Sequence, residues 1–192
     1  VRRAMEQGAC GLSTGLIYEP GRYSATDEII ALATEAAAAG GLYTTHLRNE
    51  GDRLLDAVDE ALAIGRAAGL PVQISHHKSA GRANWGRVGE SLERIDRANA
   101  EGLDVMADVY PYTAGSQRLG QTLVGDRLKA GGDLADGSDV LLASVPDRRE
   151  WEGQRLSELM TVWGATAEEA ARRVVTEGGA LAIAILFSMD ES

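Results

Sequence analysis

Cysteine and histidine are scarce in this 192-residue chain, and basic residues are outnumbered. A single cysteine, Cys10, excludes an internal disulfide and points to a reducing, cytoplasmic compartment. Lys and Arg total 19 against 29 Asp and Glu, a formal net charge of −10. That balance lacks the basic surface that nucleic acid or an anionic membrane requires, so neither is an expected partner. No apolar run approaches the roughly 20 residues that span a bilayer, and no signal-peptide pattern opens the sequence. What remains is a chain with 44% hydrophobic residues, enough for one core.

The sequence alternates short β-branched runs with amphipathic helical stretches that end on glycine. Helices are expected over residues 26–39, 52–68 and 85–100, stopped by Gly40-Gly41, Gly69 and Gly102. Ile29, Ile30, Leu32 and Ala33 form the apolar side of the first, and Leu54, Leu55, Val58, Leu62 and Ile64 that of the second. Strands are expected over 8–15, 42–47, 71–77 and 103–110. Alternation of this kind implies parallel pairing through right-handed crossovers, which a doubly wound sheet or a (β/α)8 barrel would satisfy. No G-x-G-x-x-G run opens a helix, which favours the barrel.

The second half is less regular. Residues 112–140 read as an irregular insert loop, 140–145 and 180–187 as strands, and 155–163 and 167–176 as helices. Thr166 with Glu169 forms a capping-box pattern ahead of the last helix. A whole barrel runs to about 250 residues, so the fold class expected is α/β, an incomplete (β/α)8 barrel occupying residues 1–192. The start on Val1 inside an apparent helix is consistent with a fragment.

All three histidines fall in two segments, Thr44 to Glu50 and Ile74 to Lys78, and each segment closes a predicted strand. In parallel α/β proteins the carboxyl ends of strands are where chemistry is built. His46 and His76 arriving there from adjacent strands suggest a shared metal ion, since neutral imidazole is a good zinc ligand. Hydrogen-bonded core histidines are the competing reading. A catalytic zinc has three protein ligands, and no third one is evident from spacing. Side-chain alternation puts His76 on one face with Ile74 and Lys78, and sends His77 to the opposite, helix-facing side.

Four segments, residues 11–23, 45–51, 72–78 and 107–116, resemble successive blocks of the N-acyl-D-amino-acid deacylases (D-aminoacylases) of the amidohydrolase superfamily. A weaker likeness resumes over 141–146 and 187–191. The resemblance implies zinc as cofactor, with His46 and His76 as metal ligands. It also implies Lys78, Tyr110 and Ser116 as the donors that hold a substrate carboxylate. The implied activity is hydrolysis of a small N-acyl-D-amino acid to a carboxylate and a free D-amino acid. Another amidohydrolase, dihydroorotase-like or dipeptidase-like, and an inactive fragment are the alternatives. The family's His-x-His pair and ligand cysteine are not in this sequence, Cys10 does not replace them, and the catalytic aspartate is expected beyond Ser192. Neither Asp108 nor Asp190 takes its place.

Overall fold

A computed structural model describes residues 1–124, 127–130 and 132–191. The chain divides into two compact units, 1–111 and 112–191.

The first unit runs α1 (Arg2–Glu6), β1 (Gly11–Gly15), α2 (Thr26–Ala37), β2 (Leu42–His46), α3 (Leu54–Ala68), β3 (Val72–Ile74), α4 (Val88–Ala100) and β4 (Val105–Ala107). The four strands form a parallel sheet in the order β1-β2-β3-β4, as the alternation predicted. Sequential order follows from each crossover helix returning the chain to the next position. Gly69 ends α3 in the left-handed conformation (φ 70°), and its N–H bonds the Gly65 carbonyl at 2.9 Å, which caps the helix where the sequence predicted a stop.

Helical spacing decides the core. Ile29, Ala33 and Ala36 of α2 and Leu54, Val58, Leu62 and Ile64 of α3 are buried against Tyr43, Val72, Ile74 and Val105 of the sheet. Leu32, expected on the apolar side of α2, is instead partly exposed. The strand register places Ser13, Thr44 and Gln73 together on the other face. Alternation thus separates an aliphatic helix-facing side from a polar side, and His46 follows Thr44 onto the polar one.

The second unit runs β5 (Gly115–Arg118), α5 (Leu119–Thr122), β6 (Val140–Ser144), α6 (Leu156–Trp163), α7 (Ala167–Gly178) and β7 (Ile183–Leu186). Its sheet is antiparallel, in the order β5-β7-β6, and so does not continue the parallel pattern of the first unit. Short apolar runs such as Val140–Ser144 look alike in parallel and antiparallel sheets, so periodicity could not separate the two. The stretch expected as an irregular insert over 112–140 contains β5 and α5. Gly-Ser-Gln-Arg has no apolar alternation to announce it as a strand, and pairing with β7 creates it. The predicted capping box is present: the Glu169 N–H donates to Thr166 Oγ1 at 3.3 Å, and the Thr166 N–H donates to Glu169 Oε2 at 2.9 Å. Among the described residues no helix is long and apolar enough to cross a membrane.

Candidate metal centre

His46 is the last residue of β2, and its ring emerges at the carboxyl end of the sheet. His76 follows β3 by two residues. Its Nε2 lies 2.8 Å from His46 Nδ1, with the rings edge to face at 4.4 Å between centroids. The third member is Glu50, in the loop after β2. Its Oε1 is 3.2 Å from His76 Nδ1 and its Oε2 is 3.6 Å from His46 Nε2. His46, Glu50 and His76 offer ligand atoms that all lie within 4.8 Å of one another.

The loop is built to deliver that carboxylate. Asn49 Oδ1 accepts the N–H groups of Gly51 and Arg53 at 2.8 and 3.1 Å, folding the chain tightly after His46. The Glu50 carbonyl takes the Ala80 N–H at 2.7 Å, tying this loop to the one after β3. Arg48, pointing the other way, donates two hydrogen bonds to Glu60 and one each to the Arg22 and Ser24 carbonyls. One β2 exit thus fixes three loops around the site.

Lys78 completes the cluster. Its ammonium donates to Glu50 Oε1 at 2.6 Å and to His76 Nδ1 at 2.8 Å, and lies 5.6 Å from the centre of the Tyr110 ring. His76 Nδ1 thus lies between the Lys78 ammonium and the Glu50 carboxylate, while its Nε2 faces His46 Nδ1. His46 Nε2 is buried and, among the described residues, has no hydrogen-bond partner.

Burial pushes the His46 pKa down to about 4; Glu50 opposes this, and His76 and Lys78 add to it. His46 is thus neutral at pH 7, the form that binds metal. Burial pushes the Glu50 carboxyl up, but His76, Lys78 and His46 outweigh it and hold the group below the usual carboxylate range. Tyr110 is pushed up to about 12 by burial and then by Glu50 and Tyr18, so its phenol keeps its proton. Tyr18 packs its ring 4.7 Å from that of His46.

Four predicted residues therefore meet: His46, His76, Lys78 and Tyr110. Ser116 lies in the second unit, exposed on β5. Cys10 is exposed at the amino end of β1, the opposite end of that sheet from His46, which agrees with withholding a ligand role from it. Glu50 was missed by the sequence reading. The signal available was His46-x3-Glu50, but a His–Glu pair in a loop has no periodicity to mark it.

One expectation about faces is overturned. With Thr45 opposite Ile74, the residues that share the His46 face in β3 are Gln73 and Ser75, and regular alternation would next bring His77. Ile74 is buried on the helix side, so His76 does not share its face in the site. The alternation breaks at His76, which occupies the left-handed region at φ 40°. As predicted, His77 turns toward the helices: its Nε2–H donates to Ser91 Oγ of α4 at 2.8 Å, while that hydroxyl donates to the Val88 carbonyl.

No protein-family model matches the chain. An N-acyl-D-glutamate deacylase of Alcaligenes xylosoxydans xylosoxydans is 43% identical over 189 residues, which is 98% of this chain and 36% of that relative. The resemblance is to the N-acyl-D-amino-acid deacylases. Among solved structures, an N-acyl-D-glutamate deacylase from Bordetella bronchiseptica matches with a TM-score of 0.85 at 39% identity, over 99% of this chain and 37% of that one. That protein was crystallised with zinc and a phosphonate that mimics the tetrahedral intermediate. A D-aminoacylase described as defining a novel subset of amidohydrolases matches with a TM-score of 0.83 at 34% identity, over 99% of this chain and 37% of that one. The α/β fold is thus that of the deacylase structures, and the chain spans a little over a third of the deacylases it matches.

Proposed function

We propose that this chain supplies part of the (β/α)8 barrel and the metal centre of a zinc-dependent N-acyl-D-amino-acid deacylase. The observation that carries the reading is the convergence of His46, Glu50 and His76 at the carboxyl ends of β2 and β3. Two imidazoles beside a carboxylate are a donor set suited to zinc. The buried His46 Nε2, without a hydrogen-bond partner among the described residues, is a polar atom that a metal ion would satisfy. His46 and His76 hold the ion, with the Glu50 carboxylate beside them balancing charge. When bound, the ion supplies Lewis-acid polarisation of the amide carbonyl and an activated water.

The remaining residues recognise substrate. Lys78 spends two of its three N–H groups on Glu50 and His76, which leaves one for an anion. The neutral Tyr110 phenol is a second donor, and Ser116 a third by resemblance. Held this way, the amino-acid carboxylate fixes the stereocentre relative to the scissile amide and selects the D configuration. Small N-acyl-D-amino acids are the substrate class. No residue of this chain is assigned the proton-transfer role.

Zinc titration tests the reading first. One ion should bind, and His46→Ala and His76→Ala should each abolish binding; a chain that retains no zinc would refute the site. This chain alone is expected to be inactive, so the activity assay uses a full-length protein bearing it: N-acetyl-D-glutamate should release its amino acid and the L enantiomer should not. Cleavage of the L form alone would overturn the stereochemical assignment.

A further inference from the structure

Among the described residues His76 is the one non-glycine residue at positive φ. A side chain there is sterically costly, so the surroundings must hold it. The β3–β4 ladder shows what has happened. The Val72 N–H donates to the Asp104 carbonyl at 2.9 Å, and the Asp108 N–H donates to the Ile74 carbonyl at 3.1 Å. A regular parallel ladder would continue with the residue 76 N–H on the Asp108 carbonyl. The donor is instead the His77 N–H, at 2.7 Å. One extra residue has been taken up after Ile74, a bulge that reverses the facing of everything beyond it.

The displaced His76 N–H is not left unpaired. It donates to Asp108 Oδ1 at 2.6 Å, while Asp108 Oδ2 accepts from Gln73 Nε2 at 2.7 Å. Asp108 thus engages the bulge through its N–H, its carbonyl and both carboxylate oxygens. On the far side, the His77–Ser91 bond fixes the neighbouring imidazole to α4.

We propose that Asp108 is a positioning residue: its carboxylate holds the His76 bulge, and so selects His76 rather than His77 as the imidazole that faces His46. Without the bulge, alternation would put His77 beside His46 and turn His76 toward the helices. The role is structural support for a ligand, distinct from proton transfer, and its metal-binding consequence rests on the zinc reading above.

The test uses the whole chain with Asp108→Ala and Asp108→Asn, reading zinc affinity by chelator competition and hydrogen exchange at the His76 amide. Asp108→Ala should weaken zinc by about ten- to a hundredfold, the range for outer-shell supports, and the His76 amide should lose protection. Asp108→Asn keeps an acceptor for that amide and should stay within about threefold of the parent. Protection of the Tyr43 and Ile74 amides should be unchanged, which separates loss of the bulge from loss of the fold. If Asp108→Ala does not fold, Gln73→Leu, which removes the partner orienting the carboxylate, should weaken zinc in the same direction. A folded Asp108→Ala with parental affinity and parental His76 protection overturns the proposal. If the parent chain binds no zinc, the metal reading fails. The clamp is then decided by His76 exchange alone: protection lost in Asp108→Ala and kept in Asp108→Asn supports it, and unchanged protection sinks it.

Discussion

Replacing Glu50 by Gln should destabilise the first unit more than any surface substitution. Glu50 and Lys78 are each only 12% exposed and meet at 2.6 Å. At that separation, and with an effective dielectric near 20, their attraction is about 6 kcal/mol before desolvation is counted. Desolvation offsets much of it in the intact pair, so the pair adds little net stability. Breaking the pair is different, because it leaves the Lys78 ammonium buried beside His76 without its Glu50 carboxylate. Losses of about 3–5 kcal/mol are usual for this kind of change. For a chain of this size each kcal/mol is worth roughly 2–4 °C, so the melting temperature should fall by about 6–20 °C. Urea unfolding of the metal-free chain gives the free energy directly. Adding Lys78→Met to Glu50→Gln removes both charges and should restore part of the loss, with the double variant about 2–3 kcal/mol more stable than the sum of the single effects predicts. A Glu50→Gln cost below about 1 kcal/mol, or single effects that add within about 0.5 kcal/mol, would refute the buried-pair argument.

Two further predictions concern proton binding and packing. The folded pKa of His46, about 4, lies below its ordinary 6.5, so between these values the unfolded chain binds a proton that the folded one does not. Stability of the metal-free chain should therefore fall as pH drops through that window, by about 1.5 kcal/mol between pH 6.5 and 5. A His46→Gln variant should flatten the slope, and an unchanged slope in that variant would remove His46 as its source. Gly65→Ala should also destabilise, although alanine favours a helix by about 1 kcal/mol. A Cβ at Gly65 would fall well inside contact distance of Val72 Cγ2 and crowd Leu103 and the Leu70 carbonyl. Overpacking of this kind costs about 1–3 kcal/mol, so a more stable Gly65→Ala in thermal unfolding would contradict the α3–β3 packing.

Much of the first unit was legible in the residues. Helical spacing through Leu54, Val58 and Leu62, the glycine after each helix and the β-branched runs specify strand, helix and crossover locally, and parallel pairing follows from handedness. His46 was placed at a strand end by the same reasoning, and the Thr166–Glu169 cap is a four-residue pattern that needs no distant partner. The second unit was less readable. Gly115–Arg118 becomes a strand only because β7 lies beside it, and nothing in an apolar run such as Ile183–Leu186 states the direction of its neighbour.

Within the site, the sequence by itself determined which residue types arrive near the carboxyl ends of β2 and β3, because strand ends and helix stops are local properties. Tertiary structure alone decided which of them meet. Glu50 sits among the histidines because Asn49 folds its loop and Ala80 anchors it, contacts that no periodicity encodes. His76 faces His46 because a one-residue bulge shifts the phase of alternation, and that bulge is held by Asp108, 32 residues further along the chain. Spacing is a property of one segment, whereas facing depends on the register between two, so only the folded sheet could choose between His76 and His77.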